Sequence, residues 1–277
     1  MTKKQFAKTI ESVTAVLTGT YLFASFPGFK KKKKWQHLLR WDYAHRGLHQ
    51  ADQGIPENSL AAFGRAVDHH YGIELDVRLT RDKKLVIFHD DNLKRMCGLD
   101  RKVIDMTYDE LSALRLSGTD EKIPLFSEVL KLVGGKVPLI VELKDESKGS
   151  YAALCRLVCG QLSAYRGYYC IESFHPGIVM WFRKHHPEII RGQLSCRPPK
   201  DAPINHLVFL LLTHLLTNFV TRPDFIAYQC QDIMIPAYWI NRHLFRIMTV
   251  LWTIRSRKEY NHYRGKADLM IFENFTP

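Results

Sequence analysis

With 277 residues the chain is long enough for one barrel-sized domain of about 250 residues, and no long Gly, Ser or Pro linker divides it into two. Its apolar (46%) and charged (25%) fractions exclude a disordered chain. A net charge of +12 implies attraction to anions, whether membrane surfaces, nucleic acid or phosphorylated substrates, and much of it is one unbroken lysine run at 30–34.

In chain order, residues 9–29 come first: predominantly apolar, about twenty residues long, with Glu11 near the start and Lys3, Lys4 and Lys8 ahead. A single anchor helix, a signal peptide and a helix lying on the membrane surface all fit this stretch. No small-residue cleavage site stands out, and Pro27-Gly28-Phe29 followed by five lysines is an odd start for an exported chain. Beside a membrane span, the lysine run favours a cytoplasmic catalytic domain. It also fits a solvated linker or a patch on anionic headgroups. The expected organisation is an apolar anchor with a polylysine linker at 1–40 and a barrel domain at 41–277.

From Tyr43 onward short apolar strands alternate with helical stretches, the pattern of a parallel α/β fold. Candidate strands fall at 43–46, 73–79, 85–89, 138–144, 168–174, 189–194, 225–228, 250–254 and 269–272. These nine exceed by one the eight staves of a (β/α)8 barrel. Helices are predicted at 59–70, with Asn58 or Ser59 as N-cap, then at 107–114, 127–133, 151–162 and 176–185. Residues 205–220 are almost uncharged yet too short to span a bilayer. They fit either a helix covering one end of the barrel or a hydrophobic lip dipping into a membrane. The six cysteines lack paired spacing, which predicts buried free thiols and no disulfide framework.

Alternation along 73–79 puts Glu74, Asp76 and Arg78 on one strand face and Ile73, Leu75, Val77 and Leu79 on the other. Two carboxylates about 7 Å apart on one face repel unless a cation sits between them. A hard divalent cation would do this; salt bridges to Arg78 or Lys144 inside the barrel are the competing arrangement. His45 and His89-Asp90 end two other apolar strands, and α/β barrels gather their chemistry at the C-terminal ends of strands. Two histidines and two carboxylates on one rim are the parts of a metal-assisted acid–base site.

His45-Arg46-Gly47, Pro56-Glu57-Asn58, Glu74-Leu75-Asp76, His89-Asp90 and Val141-Glu142-Leu143-Lys144 resemble, in order and spacing, the glycerophosphodiester phosphodiesterase family. The resemblance continues through 123–130, Glu172-Ser173-Phe174, 251–254 and 268–277, so it covers roughly residues 43–277. It implies a TIM barrel with Glu74, Asp76 and Glu142 as metal ligands, an oxygen set suited to Mg²⁺ or Ca²⁺ more than to zinc. It also implies catalytic His45 and His89, with Arg46 and Lys144 as cationic donors to the phosphodiester; for Lys144, balancing Glu142 is the competing role. Trp252 would line the alcohol side of the pocket or pack in the core, and Glu57 and Asn58 would shape the loop over the metal or bind the metal through water.

The implied reaction cuts glycerophosphodiesters to glycerol 3-phosphate and an alcohol. One histidine takes a proton from the nucleophile, water or a neighbouring 2-hydroxyl, and the other protonates the leaving alcohol. A membrane-tethered lysophospholipase D-like enzyme, acting on lysophospholipids or polymeric glycerophosphate, is the alternative. A catalytically dead lipid-binding barrel would require a missing histidine or carboxylate, and none is missing. The expected partners are a small-molecule or lipid phosphodiester and a membrane surface. Nucleic acid is disfavoured, because the basic residues form a run ahead of the domain and not an aromatic-interleaved surface.

Overall fold

Eight short strands whose side chains alternate between a filled interior and a helix-covered exterior close into a parallel barrel. The computed structural model describes residues 2–28, 35–144, 151–198 and 206–277. Its strands are β1 Tyr43–Ala44, β2 Gly72–Leu79, β3 Leu85–Ile87, β4 Leu139–Leu143, β5 Tyr169–Ser173, β6 Arg191–Ser195, β7 Phe225–Gln229, β8 Met248–Ile254 and β9 Leu269–Phe272. The wall runs β1-β2-β4-β5-β6-β7-β8-β9, and β9 pairs with β1 to close it. The fold is a TIM barrel.

The surplus strand is β3, which pairs antiparallel with β2 and, among the described residues, forms no ladder with any other strand. Its position follows from the length of β2. Register with β4 ends at Val77 opposite Leu143, so Arg78 and Leu79 overshoot the rim. A turn then reverses the chain, closed by Thr80 accepting from Lys84 N–H and by Lys83 at φ 60°. The return strand brings Phe88 back to Asp76, whose carbonyl accepts the Phe88 N–H at 2.9 Å. His89 is therefore delivered to the mouth by a hairpin folded over the rim, not by a wall strand as predicted.

Outward residues Ile73, Leu75 and Val77 of β2 pack beneath Phe63 and Ala66 of helix Leu60–Asp68 and Val129 and Val133 of helix Phe126–Val133. Inward residues Tyr43, Ile140, Cys170, Phe225, Met248 and Leu269 form the floor, where Trp35 and Leu38 join them. The floor is tight enough to dictate a glycine: a Cβ on Gly192 would lie 2.1 Å from the Phe225 ring.

Ser59 caps its helix by accepting from Ala62 N–H, and Gly134 in the left-handed region closes helix Phe126–Val133. Helices Tyr151–Leu162 and Pro176–His185 have the predicted bounds. All six cysteines are free, Cys97 and Cys196 only partly buried.

The N-terminal helix, Lys3–Ser25, starts six residues before the predicted apolar stretch. It is exposed through residue 20 and meets the barrel only at its end. There Tyr21 packs edge-on against His214, Phe23 meets Phe219, and Ser25 O accepts from Asn218 Nδ2. Among the described residues no helix is long and apolar enough to cross a membrane. The lysine run at 30–34 lies outside the described residues. The apolar stretch at 205–220, described from residue 206, is not one helix: Leu215 at φ 55° separates His206–Thr213 from Asn218–Thr221. Ser195 and Thr213 hydroxyls moor the first helix beside the end of β6.

Candidate active site

Two interlocked turns build one side of the mouth. After His45, Arg46 (φ 56°) and Gly47 (φ 81°) turn the chain sharply, and a Cβ on Gly47 would lie 2.9 Å from the Ala62 backbone. The turn aims Arg46 N–H at Glu74 Oε2 (3.1 Å) and its guanidinium at Glu57 Oε1 (2.7 Å) and Asp76 (3.5 Å). Asn58, itself at φ 55°, donates from its backbone to Arg46 O and from Nδ2 to Asp76 Oδ2 at 2.8 Å.

Glu74, Asp76 and Glu142 each place one carboxylate oxygen within 4.8 Å of the other two. Asp76 and Glu142 are register partners across β2 and β4, and all three are buried. Lys144 Nζ bridges two of them, 2.9 Å from Asp76 Oδ1 and 2.7 Å from Glu142 Oε2. The Arg78 side chain donates to His89 O.

The cations do not neutralise the cluster. Burial, with repulsion from Asp76, Glu142 and Glu172, pushes Glu74 well above its ordinary value. Burial raises Glu142 too, against the pull of Lys144. Asp76 goes the other way: burial opposes it, but Lys144, His89, Arg46 and the Asn58 amide hold it ionised. A buried all-oxygen set with residual mutual repulsion fits a hard divalent cation.

Each histidine is held by a carboxylate. His45 Nδ1 lies 2.6 Å from Glu273 Oε2, while its Nε2 faces Glu74 Oε2 at 3.8 Å. A carboxylate only accepts, so Nδ1 carries the proton and Nε2 keeps a lone pair. Burial lowers the basicity of His45, and Glu273 partly restores it. Burial works to raise Glu273, yet the hydrogen bonds from His45 and Arg255 hold it down to about 2. His89 Nδ1 lies 2.7 Å from Asp90 Oδ1. Arg95 clamps Asp90 to Glu57, joining the loop after β3 to the loop after β1.

Together these groups line a cavity of about 160 Å³. Its lining combines the charged and polar His45, Arg46, Glu74, His89, Glu142, Lys144, Glu172, Thr253 and Arg255 with the apolar Phe174, Leu194, Trp252 and Ile271. Of the predicted site residues, Glu57, Asn58 and Asp76 do not line the cavity; they support the groups that do.

Sequence reasoning missed Glu273, Arg95 and Glu172 as site residues. Glu273 follows an apolar strand, the same signal that singled out His45. Arg95 lies in an irregular insertion with no periodic pattern, and Glu172 was quoted only as part of a motif.

The architecture defines a TIM barrel whose C-terminal mouth holds a buried carboxylate triad, able to bind a metal ion, between two histidine–carboxylate pairs. Residues 45–226 match the glycerophosphoryl diester phosphodiesterase family, and the chain belongs to that family. It is 31% identical over 148 residues to lysophospholipase D GDPD1 of Rattus norvegicus, covering 49% of this chain and 46% of that protein. A glycerophosphodiester phosphodiesterase of Bacillus altitudinis is 34% identical over 158 residues, covering 53% of this chain and 63% of that one. The chain thus spans less than two thirds of either relative. Among solved structures, the Oleispira antarctica phosphodiesterase OLEI02445, in complex with the product sn-glycerol-3-phosphate, shares the fold. Its TM-score is 0.69 at 22% identity, over 85% of this chain and 93% of that one.

Proposed function

We propose that the protein is a divalent-cation-dependent hydrolase that cuts glycerophosphodiesters into glycerol 3-phosphate and an alcohol. The observation that carries this reading is the buried carboxylate triad beside two carboxylate-held histidines, with Glu74, Glu142, His45 and His89 lining one cavity. The names of the family and of its Bacillus relative, and the product held by the Oleispira enzyme, support it.

Glu74, Asp76 and Glu142 would hold Mg²⁺ or Ca²⁺, which when bound supplies charge neutralisation for the phosphodiester. Arg46 and Lys144 add positive charge on the same side. His45, kept neutral by burial and fixed in one tautomer by Glu273, accepts the nucleophile's proton at Nε2. His89, less buried and paired with Asp90, returns a proton to the leaving alcohol oxygen. Glu57 and Asn58 hold Arg46 and Asp76 in register for these roles.

A second reading keeps the site and moves it to a membrane, with lysophospholipids as substrates. Exposed Phe6, Ile10, Val13 and Leu17 on the N-terminal helix, exposed Leu207 and Leu210 near the mouth, and the name of the rat relative favour it. The deciding assay follows alcohol release from glycerophosphocholine and lysophosphatidylcholine after chelation and after restoring Mg²⁺ or Ca²⁺. Wild type is compared with His45→Ala and Glu74→Ala. Metal-dependent turnover that both variants lose is expected; a metal-loaded wild type that cleaves neither substrate rules the hydrolase out.

A further inference from the structure

At the end of the barrel opposite the mouth lies a second cavity, of about 310 Å³, that the chemistry above does not use. Met248, the first residue of β8, and Asp268, immediately before β9, place it where those strands enter the barrel. Helix Pro236–Trp239 reaches it through one π-helical turn, Ile240–Leu244, which brings Arg242 and His243 to the wall. Such turns are rare and recur at functional sites. Arg246 follows at φ 52°, in the left-handed region that disfavours a side chain.

Two donors on this wall have nothing to donate to. Trp35 is 4% exposed, and its buried Nε1 has no hydrogen-bond partner. The exposed Arg246 guanidinium makes no hydrogen bond or ion pair among the described residues. The carboxylate in the lining is already engaged: Asp268 Oδ2 accepts from the Thr249 N–H and hydroxyl, each at 2.8 Å, and faces Arg242 at 3.4 Å. Arg242 is itself held, donating to Thr249 Oγ1 at 2.6 Å and to Gly265 O at 2.9 Å. Those two charges offset each other, and Arg246 remains as the surplus.

A buried N–H and a free guanidinium call for a ligand that accepts. A cation meets Arg242 and Arg246. A neutral hydroxyl accepts from the indole but leaves the guanidinium without a counter-charge. A carboxylate spends both oxygens on a bidentate guanidinium pair, whereas a phosphate monoester does so and still turns a third oxygen to the indole. Leu39, Ile247 and Met248 complete the wall with apolar surface for the ester's carbon body.

We infer that this cavity binds a phosphate monoester, held by the Arg246 guanidinium and the Trp35 indole N–H. A soluble ester and the headgroup of phosphatidic acid share this chemistry. The site lies at the far end of the barrel from the carboxylate triad, so it stands or falls independently of the proposed reaction.

In isotope-labelled full-length protein each of the five tryptophans gives an indole N–H resonance, and Trp35→Phe identifies the one that belongs to Trp35. Titration with inorganic phosphate in chelator is expected to move that resonance saturably, while acetate and chloride at equal ionic strength leave it in place. Phosphate drawn instead to Arg46 and Lys144 at the mouth would move the Trp252 resonance. Arg246→Gly removes the guanidinium and suits the left-handed backbone, so the fold is kept and the Kd for phosphate should rise at least about tenfold. A second arm measures binding to phosphatidylcholine vesicles carrying phosphatidic acid or, at equal surface charge, phosphatidylserine. A preference for phosphatidic acid that Arg246→Gly loses makes the ligand a lipid headgroup. No preference, with the phosphate response intact, makes it a soluble ester. A Trp35 resonance that phosphate does not move, or moves no more than acetate does, overturns the site. A phosphate affinity that Arg246→Gly leaves unchanged overturns it as well.

Discussion

Glu273 Oε2 and His45 Nδ1 stand 2.6 Å apart at the seam where the last barrel strand meets the first. The backbone repeats the join, since His45 N–H donates to Phe272 O at 2.9 Å. The pair therefore exists only once the barrel is closed, from residues at opposite ends of the domain. Glu273→Gln keeps an acceptor for Nδ1–H but removes the negative charge that raises His45. Loss of that charge lowers the histidine further, so the acid limb of the kcat/KM profile moves to lower pH. Glu273→Ala also frees the ring, and a fall in kcat of about tenfold to a hundredfold is expected. A pH–rate profile unchanged in Glu273→Gln would mean that His45 is not the base.

The carboxylate triad makes a thermodynamic prediction independent of turnover. Glu74 holds its proton to higher pH in the folded chain than in the unfolded one, through burial and its acidic neighbours. For this group, metal-free stability is greatest below the ordinary value of 4.5 and declines as pH rises toward the folded value. Glu74→Gln removes that penalty, so in chelator the variant should match or exceed wild type, increasingly so toward neutral pH. Metal reverses the order. At about a hundredfold excess over Kd, binding stabilises wild type by roughly 2.7 kcal/mol, or about 5–10 °C in Tm, and the variant should gain much less. Equal metal-induced shifts in calorimetry would remove Glu74 from the ligand set.

Much of this site was legible because its signals are local. Alternation along β2 separated Glu74 and Asp76 from Ile73, Leu75 and Val77, and the barrel preserves that separation. His45 and Trp252 sit on or beside strands of the wall, as their neighbours indicated. What escaped depends on geometry that sequence does not carry. The hairpin carrying His89 looks like a ninth stave until the register of β2 shows that its end overshoots the rim. For Lys144 the sequence left two roles open, donor to the phosphodiester and counter-charge to the carboxylates, and the folded barrel shows it bridging Asp76 and Glu142. The apolar run after residue 205 gave no sign of the left-handed Leu215 that splits it.

Arg95 belongs to the part that sequence left unread. Its fork contacts Asp90 at 2.6 Å and Glu57 at 2.7 and 2.9 Å, so one guanidinium fixes the carboxylate partner of His89 to the loop that steadies Arg46. The side chain is half exposed, so its direct worth to stability is small, within about 1 kcal/mol. Positioning is a different matter. Arg95→Lys keeps the charge but loses the planar fork. We expect kcat to fall about tenfold with Tm nearly unchanged, and Arg95→Ala to fall further. A variant whose kcat equals that of wild type would show that Asp90 and Glu57 need no common clamp.

The N-terminal helix poses the last question, because 18 residues, Lys3 to Thr20, lie exposed. Phe6, Ile10, Val13 and Leu17 recur at spacings of three and four, so they share one face and continue toward Tyr21, where the helix meets the barrel. Lys4, Lys8 and Glu11 fall on the opposite side. A helix too polar to span but carrying one apolar face and flanking lysines suits the plane of an anionic membrane surface. Each buried Phe, Ile or Leu would contribute about 1.5–3 kcal/mol and each lysine near the headgroups about 1 kcal/mol. Full-length protein should therefore co-sediment with vesicles containing phosphatidylserine, more weakly as salt is raised. Phe6→Asp with Leu17→Asp should reduce the bound fraction by at least about tenfold without changing turnover of a water-soluble diester, since neither residue approaches the cavity. Co-sedimentation that survives both substitutions would assign the attachment to some other surface.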